Sequence, residues 1–330
     1  MTPTISKEEL RERIRLLAEE LGFADVGFAR VHSLTDSVEE NRFLEAERLG
    51  HFGRMEYLSR NFDKRMDPSL LLEGAKSVIV FLVPFSSATD SDNPNRSGHL
   101  RLKISQYAYG TDYHTVIKNK LYKIAELLKN EAGANSRVFT DSAPVMERAW
   151  GVRAGLGFIG KNNFLISPKV GIKNFIGIII TTAELPNSEI LYPSIGCGNC
   201  TRCLEACSQK ALYAPNKIDA SKCLSYKTIE EPLQTEAEME NCSDSIKKEE
   251  SGESGTAEKW IFGCDDCMNA CPWNRFNRPG WKEFNVNRKL LENSTEEFWN
   301  NMSEEEFNAL FKDSPLKRAG LKKIKYNLSR

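Results

Sequence analysis

The stretch CGNCTRCLEAC, residues 197–207, sets Cys197, Cys200, Cys203 and Cys207 in the spacing C-x2-C-x2-C-x3-C. Three thiolates on so tight a turn hold one cubane iron–sulfur cluster, and the fourth, leaving on a helix, reaches a second. A partner run follows in GCDDCMNACPWN, residues 263–274, with Cys264, Cys267 and Cys271 and the step Cys271-Pro272. Crossover pairing assigns Cys197, Cys200, Cys203 and Cys271 to one [4Fe–4S] cluster, and Cys207, Cys264 and Cys267 to another. The last ligand of the second cluster would ordinarily lie three residues before Cys264, but Ile261 stands there. Cys223 and Cys242 are the two candidates. Cys223 is the better, because Cys242 sits in a polar, acidic stretch from Glu230 to Glu258 and reads as a surface thiol of an inserted loop. Paired C-x2-C motifs also hold structural zinc, but two zinc sites would not need the x3-C-P tail. Disulfides are not expected, because the polar opening residues do not read as a secretory leader and a reducing compartment is the expectation. One departure is Ser208, where ferredoxins usually have proline after the fourth cysteine.

A length of 330 residues, 40% of them apolar and with 17 Phe and 5 Trp, allows two ordinary domains and a real core. No window reaches the roughly 18 consecutive apolar residues of a membrane helix, and the N-terminus is polar. A cytoplasmic protein without membrane attachment is the expectation. A net charge of −1 with 28% charged residues excludes coating of nucleic acid by bulk electrostatics but leaves room for a local basic surface. The tail from Pro315 carries Lys317, Arg318, Lys322, Lys323, Lys325 and Arg330 without an acid. A solvated helix face accounts for this tail as well as a phosphate-binding patch does.

Upstream of the cysteines, strands alternate with helices. Ser6 with Glu9 forms a capping box, Leu10, Ile14, Leu17 and Leu21 share one face, and Gly22 ends the first helix. Strands are expected at 24–29, 77–85, 136–140 and 174–182, an amphipathic helix over 115–133 with Ile117, Leu121, Ile124 and Leu128 in register, and a loop over 86–97. The pattern indicates an α/β or α+β layer domain over residues 1–190. A Pro-, Asn- and Ser-rich boundary near 186–194 leads into a ferredoxin-like module over 191–278, with the acidic insertion at 230–258. Short helices follow at 303–311 and 316–328 within the last segment, 279–330.

Residues 155–161, GLGFIGK, match the dinucleotide fingerprint G-x-G-x-x-G. That fingerprint needs a strand directly before it and an acid about twenty residues on. Here the preceding residues look helical and 175–183 hold no acid, so a Rossmann site is not expected; close backbone approach explains the glycines. In TDSAP, residues 140–144, a carboxylate follows a strand and precedes a helix. Helix capping by Asp141 or Ser142 accounts for it on sequence grounds alone, and a proton donor beside a redox cofactor is the alternative. YAYGTDYH, residues 107–114, gathers aromatics, an acid and His114, and reads equally as the edge of an aromatic core with a helix N-cap.

Taken together, DSAPVMERAWGVRAGLGFIGKN, YAYGTDYH, CGNCTRCLEAC, CLSYKTIE and GCDDCMNACPWN resemble the epoxyqueuosine reductases, over roughly residues 5–330. The resemblance implies an N-terminal α/β (α+β) cobalamin-binding domain related to that of reductive dehalogenases, then a two-cluster ferredoxin-like domain and a short C-terminal helical segment that helps hold tRNA. It places Asp141 as proton donor over the corrin and Arg65 near the cofactor. Lys161, Asn162 and Leu165 fall in a cofactor-lining segment, with Ser225 and Tyr226 where the cluster domain approaches the cobalamin. It identifies Cys223 as the detached cluster ligand, and makes Lys317, Arg318, Lys322, Lys323 and Lys325 candidates for gripping tRNA. The acidic insertion replaces a shorter family connection, and the chain stops at Arg330 where some members continue into helical repeats.

The implied reaction turns the epoxide on the wobble base of tRNA into a cyclopentene. An external donor supplies electrons through two [4Fe–4S] clusters to cobalamin, and the chain acts as a monomer. An acid working near neutral pH needs a desolvated pocket that raises its pKa, which is the expectation for Asp141. A small-molecule corrinoid reductase of the dehalogenase type, or a two-cluster electron carrier, is the competing reading.

Overall fold

The computed structural model describes residues 5–86, 102–190, 194–233, 259–287, 290 and 295–329. The expected loop at 86–97 apart from Ser86, Cys242 and nearly all of the acidic insertion therefore lie outside the described residues.

Helix α1 (Lys7–Glu20) begins where the Ser6 hydroxyl accepts the Glu9 N–H at 3.1 Å and gives way to Gly22, whose φ of +87° suits glycine. The chain continues through β1 (Asp25–Arg30), α2 (Val38–Arg48), α3 (Phe62–Met66), β2 (Ser77–Pro84), β3 (Leu102–Ile104), α4 (Tyr113–Ala132), β4 (Ser136–Phe139), α5 (Glu147–Arg153), the short pair β5 (Phe158–Ile159) and β6 (Leu165–Ile166), and β7 (Asn174–Thr181). Strands β1, β2, β7 and β4, in that order, form one sheet that is antiparallel throughout.

Every residue of β2 is buried because both faces of the sheet are covered. Successive strand side chains point to opposite faces. Ile79, Phe81 and Val83 accordingly pack in one core with Leu10 and Ile14 of α1 and Ile117 and Leu121 of α4, whereas Val78, Val80 and Leu82 pack in another with Phe43 of α2 and Trp150 of α5. The unbroken apolar run of β2 thus reflects a three-layer arrangement.

The glycine motif at 155–160 serves the β5–β6 hairpin. A Cβ on Gly157 would stand 2.0 Å from the carbonyl oxygen of Ile166, so the two backbones approach more closely than any side chain allows.

The cysteine-bearing segment does not hang from the sheet domain on a linker. Strand Lys259–Phe262 pairs in parallel with β3, and Met268, Cys271 and Phe284 belong to the same core as α1 and α4. Trp281 donates from Nε1 to the Gly22 carbonyl at 2.7 Å, and the Lys120 ammonium lies 3.4 Å from its ring centroid. The last helices, Glu296–Asn301, Glu304–Leu310 and Gly320–Ser329, build a third core in which Trp299, Phe307 and Phe311 pack with Tyr109, Ile261 and Phe262. Ile261, at the position a cluster ligand would ordinarily take, is fully buried in that core. No helix among the described residues is long and apolar enough to cross a membrane.

Candidate active site and cluster centres

Because β4 and β7 run antiparallel, the end of β4 lies beside the start of β7, and Asp141 emerges next to Asn174, Phe175 and Ile176. The first turns of α4 and α5 add Tyr113, Glu147 and Arg148, the segment around α3 adds Tyr57, Arg60 and Arg65, and Phe164 follows the β5 strand. Together with Glu230 and Arg318 these residues wall a cavity of about 860 Å³.

Asp141 adopts a left-handed backbone, φ +56°, which an aspartate tolerates better than most residues. Its Oδ2 accepts the Tyr113 hydroxyl at 2.8 Å and lies 3.4 Å from His114 Nε2. The other ring nitrogen of His114 is 2.7 Å from Asp112 Oδ1. Tyr113 is fixed in turn by stacking on Phe175, ring centroids 4.2 Å apart and nearly parallel.

The ionisation of this group differs from the expectation of a raised Asp141. Enclosure by the cavity walls pushes the Asp141 carboxyl up although its side chain is 56% exposed to the open cavity, but hydrogen bonds from His114 and Tyr113, with the charges of His114 and Arg318, outweigh it and hold the carboxyl below its usual range. Burial pulls His114 down, yet its bonds to Asp112 and Asp141 raise it to about 9. Between Asp141 and His114 the proton therefore rests on the imidazole. The carboxyl that keeps its own proton near neutrality is Glu147, pushed up to about 8 by burial and by the neighbouring charge of Asp141.

Arg65 faces this cavity with burial lowering its pKa, its guanidinium 5.8 Å from the Phe43 ring centroid and its buried Nε without a hydrogen-bond partner. Asn174 donates from its amide to the Gly171 carbonyl at 3.0 Å and leaves Oδ1 buried and unpartnered. Two orphaned buried groups, one donor and one acceptor, on residues that line the cavity suit a large ligand rich in amide and phosphate groups.

The other expected cofactor residues are not among those lining this cavity. Lys161 donates from its backbone to Cys197 Sγ at 3.4 Å and from Nζ to the carbonyls of Gly198 and Cys200 at 2.8 and 2.9 Å. Asn162, buried, donates to the Cys267 carbonyl at 3.2 Å. Leu165 is packed beneath Gly151 of α5, where an added Cβ would come within 2.4 Å of it. Tyr226 is also buried, with its hydroxyl accepting the Arg54 N–H at 2.9 Å, and Ser225 precedes it on the helix Leu224–Ile229. Lys161 and Asn162 thus brace the cluster turns, and Phe164, two residues on, reaches the cavity wall.

Cys197, Cys200, Cys203 and Cys271 line one small cavity with Asn162, Ile166, Pro272 and Trp273. The charges of Cys223, Cys207 and Cys203 all bear on Cys267, and that of Cys267 on Cys264, so the two sets of thiols lie close to one another. Burial, above all, raises the thiols of Cys264 and Cys267, and that of Cys271 to about 11. No set of three or more side chains among the described residues converges on a single ion. A cubane instead spreads its thiolates over its corners, and its iron would invert the thiol pKa preference. Cys223 caps the N-terminus of the helix that carries Tyr226.

The basic tail divides. Lys317, Arg318 and Lys322 are exposed, and Arg318 reaches Glu230 at 2.7 Å on the cavity wall. Lys323 is buried, with Nζ donating to the Glu231 carbonyl at 2.7 Å, and Lys325 donates to the carbonyls of Asn300 and Met302 at 2.9 Å each. These last two ammonium groups serve backbone carbonyls, whereas Lys317 and Lys322 face solvent. The sequence does not single out Glu147, Arg148 or Tyr57, because nothing in periodicity or spacing sets them beside Asp141.

A family model described as "Epoxyqueuosine reductase QueG, DUF1730" matches residues 65–142, and one described as a 4Fe-4S double cluster binding domain matches residues 196–274. The epoxyqueuosine reductase of Cyclobacterium marinum is 40% identical over 316 residues, covering 94% of this chain and 93% of the relative. That of Pseudomonas aeruginosa is 34% identical, covering 97% and 84%. A crystal structure of epoxyqueuosine reductase with an epoxyqueuosine-modified tRNA stem loop superposes with a TM-score of 0.81 at 25% identity, covering 98% of this chain and 80% of that one. The structure from Streptococcus thermophilus gives 0.75 at 25% identity, covering 96% and 79%.

Proposed function

The chain belongs to the epoxyqueuosine reductase family, and from that premise we propose that it reduces the epoxide of epoxyqueuosine at the tRNA wobble position to the cyclopentene of queuosine. The observation that carries the reading is a cavity with Asp141 on its wall and two sets of cluster-type cysteines behind it, linked through residues 161–164. Opening an epoxide to an alkene consumes two electrons and two protons and releases water.

Cobalamin and two [4Fe–4S] clusters would supply the low-potential reduction, which no side chain can perform. Arg65, through its orphaned Nε, and Asn174, through Oδ1, would hold the cobalamin. Cys197, Cys200, Cys203 and Cys271 would hold one cluster and Cys207, Cys223, Cys264 and Cys267 the other. Asp141 hands a proton to the departing oxygen. It is itself ionised at neutral pH, so each proton it delivers is drawn through Oδ2 from the His114 imidazolium 3.4 Å away. Tyr113 keeps Oδ2 aimed along that line.

Lys317, Arg318 and Lys322 would meet phosphates of the anticodon loop, whose unstacked wobble base enters the cavity. The segments 1–190, 191–278 and 279–330 then serve chemistry, electron delivery and tRNA contact. An external low-potential donor, a monomeric state and a cytoplasmic setting complete the reading.

The test is anaerobic reconstitution with iron, sulfide and cobalamin, then reductant and an epoxyqueuosine-bearing stem loop. Conversion of the nucleoside to queuosine is expected. An unchanged epoxide on protein fully loaded with both cofactors would contradict the proposal, and would favour a small-molecule corrinoid reductase if the stem loop also failed to bind.

A further inference from the structure

We propose that Glu147 is a positioning residue that latches the Asp141 turn over the cavity by accepting the backbone N–H of Asp141. The inference rests on the reading of Asp141 as proton donor. The N–H of Asp141 donates to Glu147 Oε1 at 2.6 Å. The other bonds of this turn act on side chains or reach only its near neighbours: Tyr113 and His114 hold the Asp141 carboxylate, Thr140 Oγ1 donates to the Ile176 carbonyl and Lys118 to the Ser142 hydroxyl, Ser142 N–H reaches the Thr140 carbonyl at 2.7 Å and Val145 N–H that of Ala143 at 2.8 Å, and Pro144 has no N–H. Asp141 meanwhile sits at φ +56°, a left-handed backbone that aspartate tolerates but that a partner on its N–H still favours over the alternatives.

Glu147 is well placed to impose it. It stands in the first turn of α5, and that helix is anchored by Ala149 and Trp150 in the core beneath the sheet. Its carboxyl also lines the cavity, beside the carboxylate it restrains. Two ionised carboxylates so close would repel; with Glu147 neutral the pair is compatible, and a neutral acid still accepts an N–H through its carbonyl oxygen. The acceptor oxygen, not the proton, is what the latch requires.

Glutamine preserves that oxygen and methionine removes it at similar volume, so the test compares Glu147→Gln, Glu147→Met and Asp141→Asn in the cofactor-loaded enzyme. Three readouts are taken: kcat, KM for the stem loop, and hydrogen exchange of the amides in residues 139–147. A catalytic group displaced by about 1 Å loses on the order of 100-fold in rate. Glu147→Met should therefore lose about that much kcat with KM little changed and should expose the Asp141 amide to fast exchange. Glu147→Gln should keep slow exchange and most of the activity. Wild-type kcat or wild-type exchange in Glu147→Met would overturn the latch, as would Glu147→Gln as inactive as Glu147→Met. If Glu147→Met does not fold, Glu147→Gln decides alone: activity and protection retained uphold the latch, and loss of either overturns it. Full activity in Asp141→Asn would instead overturn the Asp141 assignment, while the exchange data still score the latch.

Discussion

Asp141 Oδ2 lies 3.4 Å from His114 Nε2, and the opposite nitrogen of the same ring lies 2.7 Å from Asp112. One imidazolium is thus held between two carboxylates, only one of which faces the cavity. This arrangement keeps a transferable proton beside a carboxylate that would not hold it alone at neutral pH.

The pH dependence of stability follows. Burial lowers His114, but its two carboxylate partners raise it to about 9 from 6.5, so its contribution is complete below about pH 6.5 and lost as the pH rises through about 9. Asp112 and Asp141 are both held down by His114 against the opposing effect of burial. Their share is present above about pH 4 and lost as the pH falls through their lowered values. His114→Gln should cost about 1 kcal/mol at pH 6, since the Asp141 side chain is 56% exposed and water screens the pair. Thermal melts should show a Tm lower by roughly 3 °C at pH 6 and little difference at pH 10. Equal melting at both values would show that the triad contributes nothing to the fold.

Cluster assignment predicts how iron is lost. Cys223→Ser should reduce the iron bound after reconstitution by about half, with the remaining cluster spectroscopically intact, whereas Cys242→Ser should bind as much as the wild type. Full iron in Cys223→Ser would move the detached ligand elsewhere.

The basic tail predicts a division between binding and stability. Replacing Lys317 and Lys322 with glutamate should weaken stem-loop binding and flatten its salt dependence, the slope falling by about 1 for each phosphate no longer neutralised. Lys325→Met should leave that slope unchanged but cost about 1–2 kcal/mol, because the carbonyls of Asn300 and Met302 lose their donor. A changed slope in Lys325→Met would return that residue to the tRNA surface.

Gly157→Ala should be destabilising by roughly 2–3 kcal/mol, since its Cβ would fall 2.0 Å from the Ile166 carbonyl oxygen and the hairpin must open. Urea denaturation reads this directly. A stability within error of wild type would mean that the hairpin yields at no cost.

How much of the fold and site is legible in the chain depends on the range of the interaction. Ile117, Leu121, Ile124 and Leu128 repeat at helical spacing and all four are fully buried, and the apolar run of β2 lies inside a covered sheet, because local periodicity reports which face is covered. The cysteine spacing likewise spells out its chemistry locally. The antiparallel strand order, the shared cores of the successive segments and the burial of Lys323 are not legible, since each depends on partners far along the chain: Lys323 meets Glu231, and Lys259–Phe262 meets β3. The protonation of Asp141 escapes the sequence for the same reason. Burial alone would raise it, and the opposing His114 comes from α4, a separate element earlier in the chain.

Everything proposed for the cavity turns on the Asp141 carboxyl delivering the proton that lets the epoxide oxygen leave. Single-turnover conversion of an epoxyqueuosine stem loop by Asp141→Asn, with iron, cobalamin and RNA binding quantified on the same preparation, puts that role to the test. Wild-type loading and binding with no detectable queuosine is the expected result. Queuosine formed at the wild-type rate would contradict it.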